Sequence, residues 1–219
     1  MSSTTLPLTV AVLAKAPAAG RVKTRLCPPC TPAQAASLAA AALEDTIAVA
    51  VAIPAERHVL VLDGDANDWT GRGLEVLGQR GDGLDQRLAA AFTALGGPTL
   101  LVGMDTPQVT ATELTDAARR LLRTGDDVVG PALDGGFWAI GLRDPDPDDF
   151  LGVPMSEAAT GAAQVARLEA RGRRVQLLDV QRDVDDWDDA LAVADLAPTS
   201  RFAAAMATVV AALERRGAA

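Results

Sequence analysis

The chain has 219 residues, of which 49% are hydrophobic and 22% charged, enough for one globular domain with a sizeable core. Twenty Lys and Arg against 29 Asp and Glu leave a net charge of −9, a surface that repels nucleic acid and anionic membrane, so a phosphorylated ligand must find a local basic pocket. With 3% aromatics and no tyrosine, the core is expected to be built from Val, Leu, Ile and Ala.

Met1 to Thr9 carries no positive charge, and the apolar stretch that follows is broken by Lys15, so no signal peptide is expected. Leu8 to Leu13 reads as a buried first strand. Both lysines of the chain follow it within the loop Ala14 to Leu26, while the other 18 cations are all arginine. Lysine is a compact ammonium on a flexible stem, suited to phosphate as a point charge. Small residues, Gly20 and the cations Lys15, Arg21, Lys23 and Arg25 after strand one predict a phosphate cradle, against the plainer reading of a solvated basic turn. Cys27-Pro28-Pro29-Cys30 has redox spacing, yet two cysteines and the single His58 are too few for a structural zinc, and two loop thiols around a rigid turn are expected.

Thr31-Pro32 reads as an N-cap with proline at N1, opening an alanine-rich helix over Pro32 to Ala52. Glu44 and Asp45 interrupt this most apolar stretch, so no bilayer-crossing run and a cytoplasmic location are expected. Strands at 57–62, 74–77, 99–104 and 127–129 alternate with helices at 84–95 and 113–122. That alternation predicts a doubly wound, mostly parallel α/β sheet with helices on both faces in one domain. The loops starting at Lys15, Asp63 and Asp105 should then meet at the carboxyl rim, where such sheets bind ligands. The nucleotide half is placed at about 8–125 and the acceptor half at about 126–195. Phe137 to Leu142 and the Pro/Asp-rich turn Asp144 to Asp149 read as an excursion at the sheet edge. A helix over 158–171, a strand over 174–178 and an amphipathic helix over 202–215 complete the chain.

Gly103-Met104-Asp105-Thr106-Pro107 puts a carboxylate at a strand end, suited to Mg²⁺ or to a turn. In Asp183-Val184-Asp185-Asp186-Trp187-Asp188-Asp189, alternation sets Asp183 and Asp185 on one side, which lets Asp185 form a metal pair with Asp105; the others cap a helix or face solvent. Asp134-Gly135-Gly136 permits close approach of backbone to a ligand or a hairpin turn, and Gly81-Asp82-Gly83 opens a helix or lays amides against a nucleotide.

Taken in order, Ala14-Lys15-Ala16-Pro17, Lys23-Thr24-Arg25-Leu26, Gly81-Asp82-Gly83-Leu84, Gly103-x-Asp105-x-Pro107, Gly130-Pro131-x-x-Asp134-Gly135-Gly136 and Asp183-Val184-Asp185 resemble a bacterial family of glycosyltransferase-A-type transferases of poorly defined activity, over about residues 10–190. The Lys-Thr-Arg-Leu, Asp-x-Pro and Asp-Val-Asp segments also resemble phospholactate and phosphoenolpyruvate guanylyltransferases. The Gly-x-Ser-x-Arg-Met-Gly loop of sugar nucleotidyltransferases is absent, and Pro154-Met155-Ser156 lacks the family's tryptophan. The resemblance implies a nucleotide-diphospho-sugar transferase fold and a divalent metal, Mg²⁺ or Mn²⁺.

The resulting expectation is a transferase moving NMP from an NTP to a small phosphorylated or anionic acceptor, which needs no base. Glycosyl transfer with Asp134 as base and non-catalytic nucleotide binding are the alternatives. Lys23, Arg25 and Asp105 are the expected catalytic residues. Ala14, Lys15, Gly20, Lys23, Arg25, Gly81, Asp82 and Gly83 are expected at the nucleotide, Asp134, Gly135 and Gly136 at the acceptor, and Asp105 with Asp185 at the metal. The base, the acceptor and the oligomeric state are not readable from the sequence.

Overall fold

A computed structural model describes residues 5–217. Seven strands form a single sheet in the order β3-β2-β1-β4-β6-β5-β7, comprising β1 (Leu6–Lys15), β2 (Ala55–Asp63), β3 (Glu75–Gly78), β4 (Thr99–Gly103), β5 (Asp127–Pro131), β6 (Phe137–Leu142) and β7 (Val175–Leu177). All pairings are parallel except those of β6, which runs antiparallel to β4 and β5. The doubly wound expectation is met, with one correction. β6 is no edge excursion: it lies inside the sheet, opposing Thr99 with Leu142 and Val128 with Gly141.

Strand alternation divides the core. Val10, Val12, Leu100, Val102 and Val128 face one layer, made by α1 (Pro32–Val51) and α3 (Ala111–Thr124). Ala11, Val59, Val61, Leu101 and Val129 face the other, made by α2 (Leu84–Leu95) and α4 (Thr160–Ala170). A third cluster joins the outer side of α1 to α5 (Trp187–Leu196) and α6 (Arg201–Gly217).

Being covered on two sides explains the composition of α1. Its length of 20 residues and mean hydropathy of 1.3 would allow it to cross a membrane, contrary to the expectation that Glu44 and Asp45 rule this out. Here it packs between the sheet and α5–α6. Asp45 is buried, and its carboxylate accepts hydrogen bonds from the N–H groups of Arg201 and Phe202 at 3.2 and 2.8 Å, which satisfies the first turn of α6. The α1 start carries the expected cap: the Thr31 hydroxyl accepts from the Gln34 N–H, and the Gln34 side chain accepts from the Thr31 N–H.

A candidate active site at the carboxyl rim

The loops after β1, β4, β5 and β7 meet at one rim because those strands are parallel, and the amino end of antiparallel β6 joins them there. Two adjoining cavities open at this rim, and Asp105 lines both.

The first is a cationic cleft of about 240 Å³ lined by Lys15, Arg21, Lys23 and Arg25 with Asp105 and Asp185. Lys23 is the organising residue. It adopts the left-handed conformation, φ 48°, at the start of the short 3-10 turn Thr24–Leu26. Buried Leu26 and Cys30 seat this turn in the third core cluster. The Lys23 side chain is only 12% exposed; its ammonium donates to the Val184 carbonyl and lies 2.7 Å from Asp105 Oδ1. Asp105 Oδ1 is a buried oxygen whose partner is this ammonium, in an ion pair rather than a regular hydrogen bond. Val184 N–H donates to the Asp105 carbonyl at 2.9 Å, tying the late Asp-Val-Asp segment to the β4 turn. Arg25 pairs with Asp185, and the exposed Lys15 donates its backbone N–H to Met104 Sδ at 3.3 Å.

The second cavity, about 290 Å³, has an apolar floor that includes Leu84, Leu88, Leu101 and Phe137, and carries the carboxylates Asp105, Asp134, Asp183 and Glu157. Among the described residues, no lysine or arginine lines it. Burial first, and then the charges of Asp134 and Asp105, push the Asp183 carboxyl up to about 6, with Lys23 opposing. Asp134 Oδ1 accepts from the Gly136 N–H at 2.7 Å. Gly135, φ 90°, lies so close to the start of α4 that a side chain there would overlap the Ala158 carbonyl oxygen. Its own carbonyl accepts from the Gly161 N–H at 2.8 Å. The two consecutive glycines thus dock the β5–β6 loop onto α4, and Gly136 lines the cavity.

Several expected residues lie elsewhere. Ala14 is buried inside β1, and its carbonyl accepts from the Gln79 amide at 2.8 Å. Gly20, φ 76°, is an exposed turn residue with open space around it. Gly81, Asp82 and Gly83 line neither cavity. Gly81 packs against Gln86 in the first turn of α2, Asp82 N–H donates to the Gln86 side chain at 3.1 Å, and Gly83 is the N-cap. In the acidic run, Asp186 caps α5 in a reciprocal pair with Asp189, which also binds Arg182. Sequence reasoning passed over Glu157 and Thr160. Their available signal was an acid and a hydroxyl spaced three apart just before a helix; Glu157 N–H donates to the Thr160 hydroxyl at 3.0 Å.

The cysteine pair stands apart from this chemistry. Both are free, and Cys30 is buried, which together with the Cys27 charge pushes its thiol pKa up and makes it a poor nucleophile. His58 Nε2 is taken by the Ile53 carbonyl at 2.9 Å.

A divalent cation fits here as an open rather than a closed site. Among the described residues no three ligating side chains gather into a metal cage. Asp105 Oδ1, buried and held only by the Lys23 ammonium, and the crowding of carboxylates that raises Asp183 suit a cation that completes its shell with ligand phosphates.

Comparison with known proteins agrees with this architecture. No curated protein matches the sequence. A proposed nucleotide-diphospho-sugar transferase from Desulfovibrio desulfuricans G20 superposes with a TM-score of 0.83 at 25% identity, covering 95% of this chain and 97% of the other. CMP:2-keto-3-deoxy-manno-octonic acid synthetase, solved with CTP, gives 0.59 at 10% identity over 88% and 98% of the two chains. A nucleotidyl transferase from Methanothermobacter gives 0.58 at 15% identity over 89% and 99%. These neighbours share the fold expected above, and the most similar of the three is described as a proposed transferase. Residues 36–157, more than half of the sequence, match a bacterial family. The chain therefore belongs to the family described as "Uncharacterized protein conserved in bacteria (DUF2064)", built on the nucleotide-diphospho-sugar transferase fold.

Proposed function

We propose that this protein is a metal-dependent transferase with a nucleotide donor, and that NMP transfer from an NTP is its reaction. The observation that carries this reading is the pair of adjoining cavities of opposite charge sharing Asp105. Lys15, Arg21, Lys23 and Arg25 would receive the phosphates, which need a concentrated positive site on a chain of net charge −9. Asp105, with Asp183 beside it or with the expected Asp185, would hold Mg²⁺ or Mn²⁺; Asp105 and Asp185 are each paired with a cation, Lys23 and Arg25, that the ion would displace. The bound ion would neutralise charge on the transferred phosphate. Lys23 bridges both sides of the site, so its ammonium is available to a phosphate only by loosening its hold on Asp105 and Val184. The acceptor oxygen would attack the α-phosphorus from the acidic cavity as pyrophosphate leaves. Reduced thiols at Cys27 and Cys30 suit a cytoplasmic setting.

Glycosyl transfer from a nucleotide sugar is the second reading, and the acidic cavity favours it. Its carboxylates can accept hydrogen bonds from sugar hydroxyls, and Asp134 or Glu157 can take a proton. The deciding experiment incubates the protein with each NTP and each common nucleotide sugar, Mg²⁺ and an acceptor pool containing phosphorylated and unphosphorylated sugars. Pyrophosphate release supports nucleotidyl transfer, nucleoside diphosphate release supports glycosyl transfer, and neither product sinks the transferase reading.

A further inference from the structure

The two cavities are separated by charge in a way the phosphate cradle alone does not require. Four cations line the cleft; the neighbouring cavity has four carboxylates and, among the described residues, no cation. Asp105 and Asp183 at the shared side would be neutralised by a metal, which leaves Asp134 and Glu157 as uncompensated charges. Both are exposed, and both stand on loops held by backbone contacts. The Asp134 loop is clamped to α4 through Gly135 and Gly161, and Glu157 is anchored by its N–H to Thr160. Below them the floor is apolar, with Leu88 and Leu101 buried and Leu84 and Phe137 partly open.

A phosphorylated acceptor would place a dianion beside these carboxylates with no lysine or arginine lining the cavity to meet it. Like charges a few ångströms apart repel one another, and more strongly as solvent is excluded. A neutral polyol meets the same surface favourably: hydroxyls donate to the carboxylates, and a C–H face rests on the apolar floor. We propose that the acidic cavity is the acceptor site, that it takes an uncharged, hydroxyl-rich acceptor of the sugar or polyol class, and that Asp134 and Glu157 exclude phosphorylated acceptors.

This rests on the nucleotide-donor reading and replaces the anionic acceptor expected from the sequence. In either transfer, the acceptor hydroxyl loses its proton to one of these two carboxylates as its oxygen bonds to the α-phosphorus or the anomeric carbon. Pyrophosphate or nucleoside diphosphate leaves with the electron pair of the broken bond.

The test uses the full chain with Mg²⁺ and three matched probes: glucose, glucosamine and glucose 6-phosphate. Saturation-transfer NMR reads contact and dissociation constants for the wild type, for D134N/E157Q, and for E157Q alone, an exposed change that keeps the comparison available if the double variant does not fold. Glucose is expected to make contact through its C–H groups, and glucose 6-phosphate to bind about tenfold more weakly. That gap should shrink several-fold in the variants because the phosphorylated probe gains affinity. The proposal is overturned by a wild-type preference for glucose 6-phosphate or glucosamine, by no contact from glucose, or by a gap the variants leave unchanged. Parallel calorimetry with ATP, CTP, GTP and UTP keeps the two readings apart, since failure of all four nucleotides removes the donor reading while the probe series still decides the charge selectivity of the cavity.

Discussion

Charged clusters sit at both ends of the sheet, and they are built in opposite ways. At the amino rim, Asp149 is fully buried and accepts from Arg171 Nε at 2.7 Å and from Arg173 Nη2 at 2.6 Å. Arg173 reaches the buried Asp127 at 3.1 Å, and Asp127 also accepts from the Arg143 N–H. The Pro/Asp-rich turn, read from the sequence as an excursion at the sheet edge, is part of this network through Asp146, Asp148 and Asp149. At the carboxyl rim, by contrast, Asp105 keeps an oxygen without a hydrogen bond, and Asp183 is held near other carboxylates. Opposite charges that satisfy one another hold the turn after β6 against the strand leading into β7. Like charges left crowded are a cost to folding that a ligand or cation can relieve, which is the physical ground for proposing the second cluster as the functional one.

The sharpest way to break the comparison is at the amino rim. Arg173→Met removes the cation from Asp127 and half of the cationic support of Asp149, and breaking a buried pair in this way costs about 3 to 5 kcal/mol. Urea denaturation should show a midpoint shift of that size; a shift under about 1 kcal/mol would mean the network is solvated rather than structural.

At the carboxyl rim, Asp105→Asn should leave the denaturation midpoint nearly unchanged while lowering turnover by about a hundredfold, near 3 kcal/mol of transition-state stabilisation. Residual activity within about threefold of wild type would remove Asp105 from the metal site.

Lys23→Ala should weaken triphosphate binding about ten- to a hundredfold, corresponding to about 1.5 to 3 kcal/mol for a charge-assisted contact, and weaken monophosphate binding far less. Because Asp105 also loses its cation, Mn²⁺ binding without nucleotide, followed by electron paramagnetic resonance, should tighten. Equal losses for both nucleotides would assign Lys23 to holding the loops alone.

The smallest effect has the opposite sign. With its carboxyl raised to about 6 from the usual 3.8, Asp183 binds a proton more readily folded than unfolded, so its contribution to stability is most favourable below pH 4 and is lost as pH rises towards 6. In metal-free buffer, Asp183→Asn should therefore raise stability at pH 7.5 by about 1 to 2 kcal/mol, after allowance for partial solvent access, with no gain near pH 3.5. A destabilised variant at neutral pH would show that the carboxylate makes net favourable contacts in the fold.

Much of the architecture was legible because it depends on local periodicity. The bounds of α2 and β6 agree with expectation, the Thr31 cap appears where its side chain predicts it, and of the aspartates expected to cap a helix or face solvent it is Asp186 that caps α5. The site was legible less evenly. Lys15, Lys23, Arg25 and Asp105 gather in one cleft because each follows a strand that ends at the same rim. The glycines at 81 and 83 read as ligand contacts, but for Gly81 the fold itself gives a reason, a φ of 120° with Gln86 close by. A sequence shows that a position needs glycine without showing whether protein or ligand fills the space.

The sequence by itself determined the strand and helix order, the parallel character of most of the sheet, and hence the rim where the candidate site lies, because hydrophobic spacing and strand ends are local properties. Tertiary structure decided the rest. β6 pairs with its chain neighbour β5 but also with β4, from which α3 and β5 separate it in the chain, and periodicity carries no information about such a partner. Likewise, alternation places Asp183 and Asp185 on one side, with Val184 buried between them. Only the fold sends Asp183 to the acidic cavity and Asp185 to Arg25, because the charges that distinguish them come from Lys23, Arg25, Asp105 and Asp134 on three other loops.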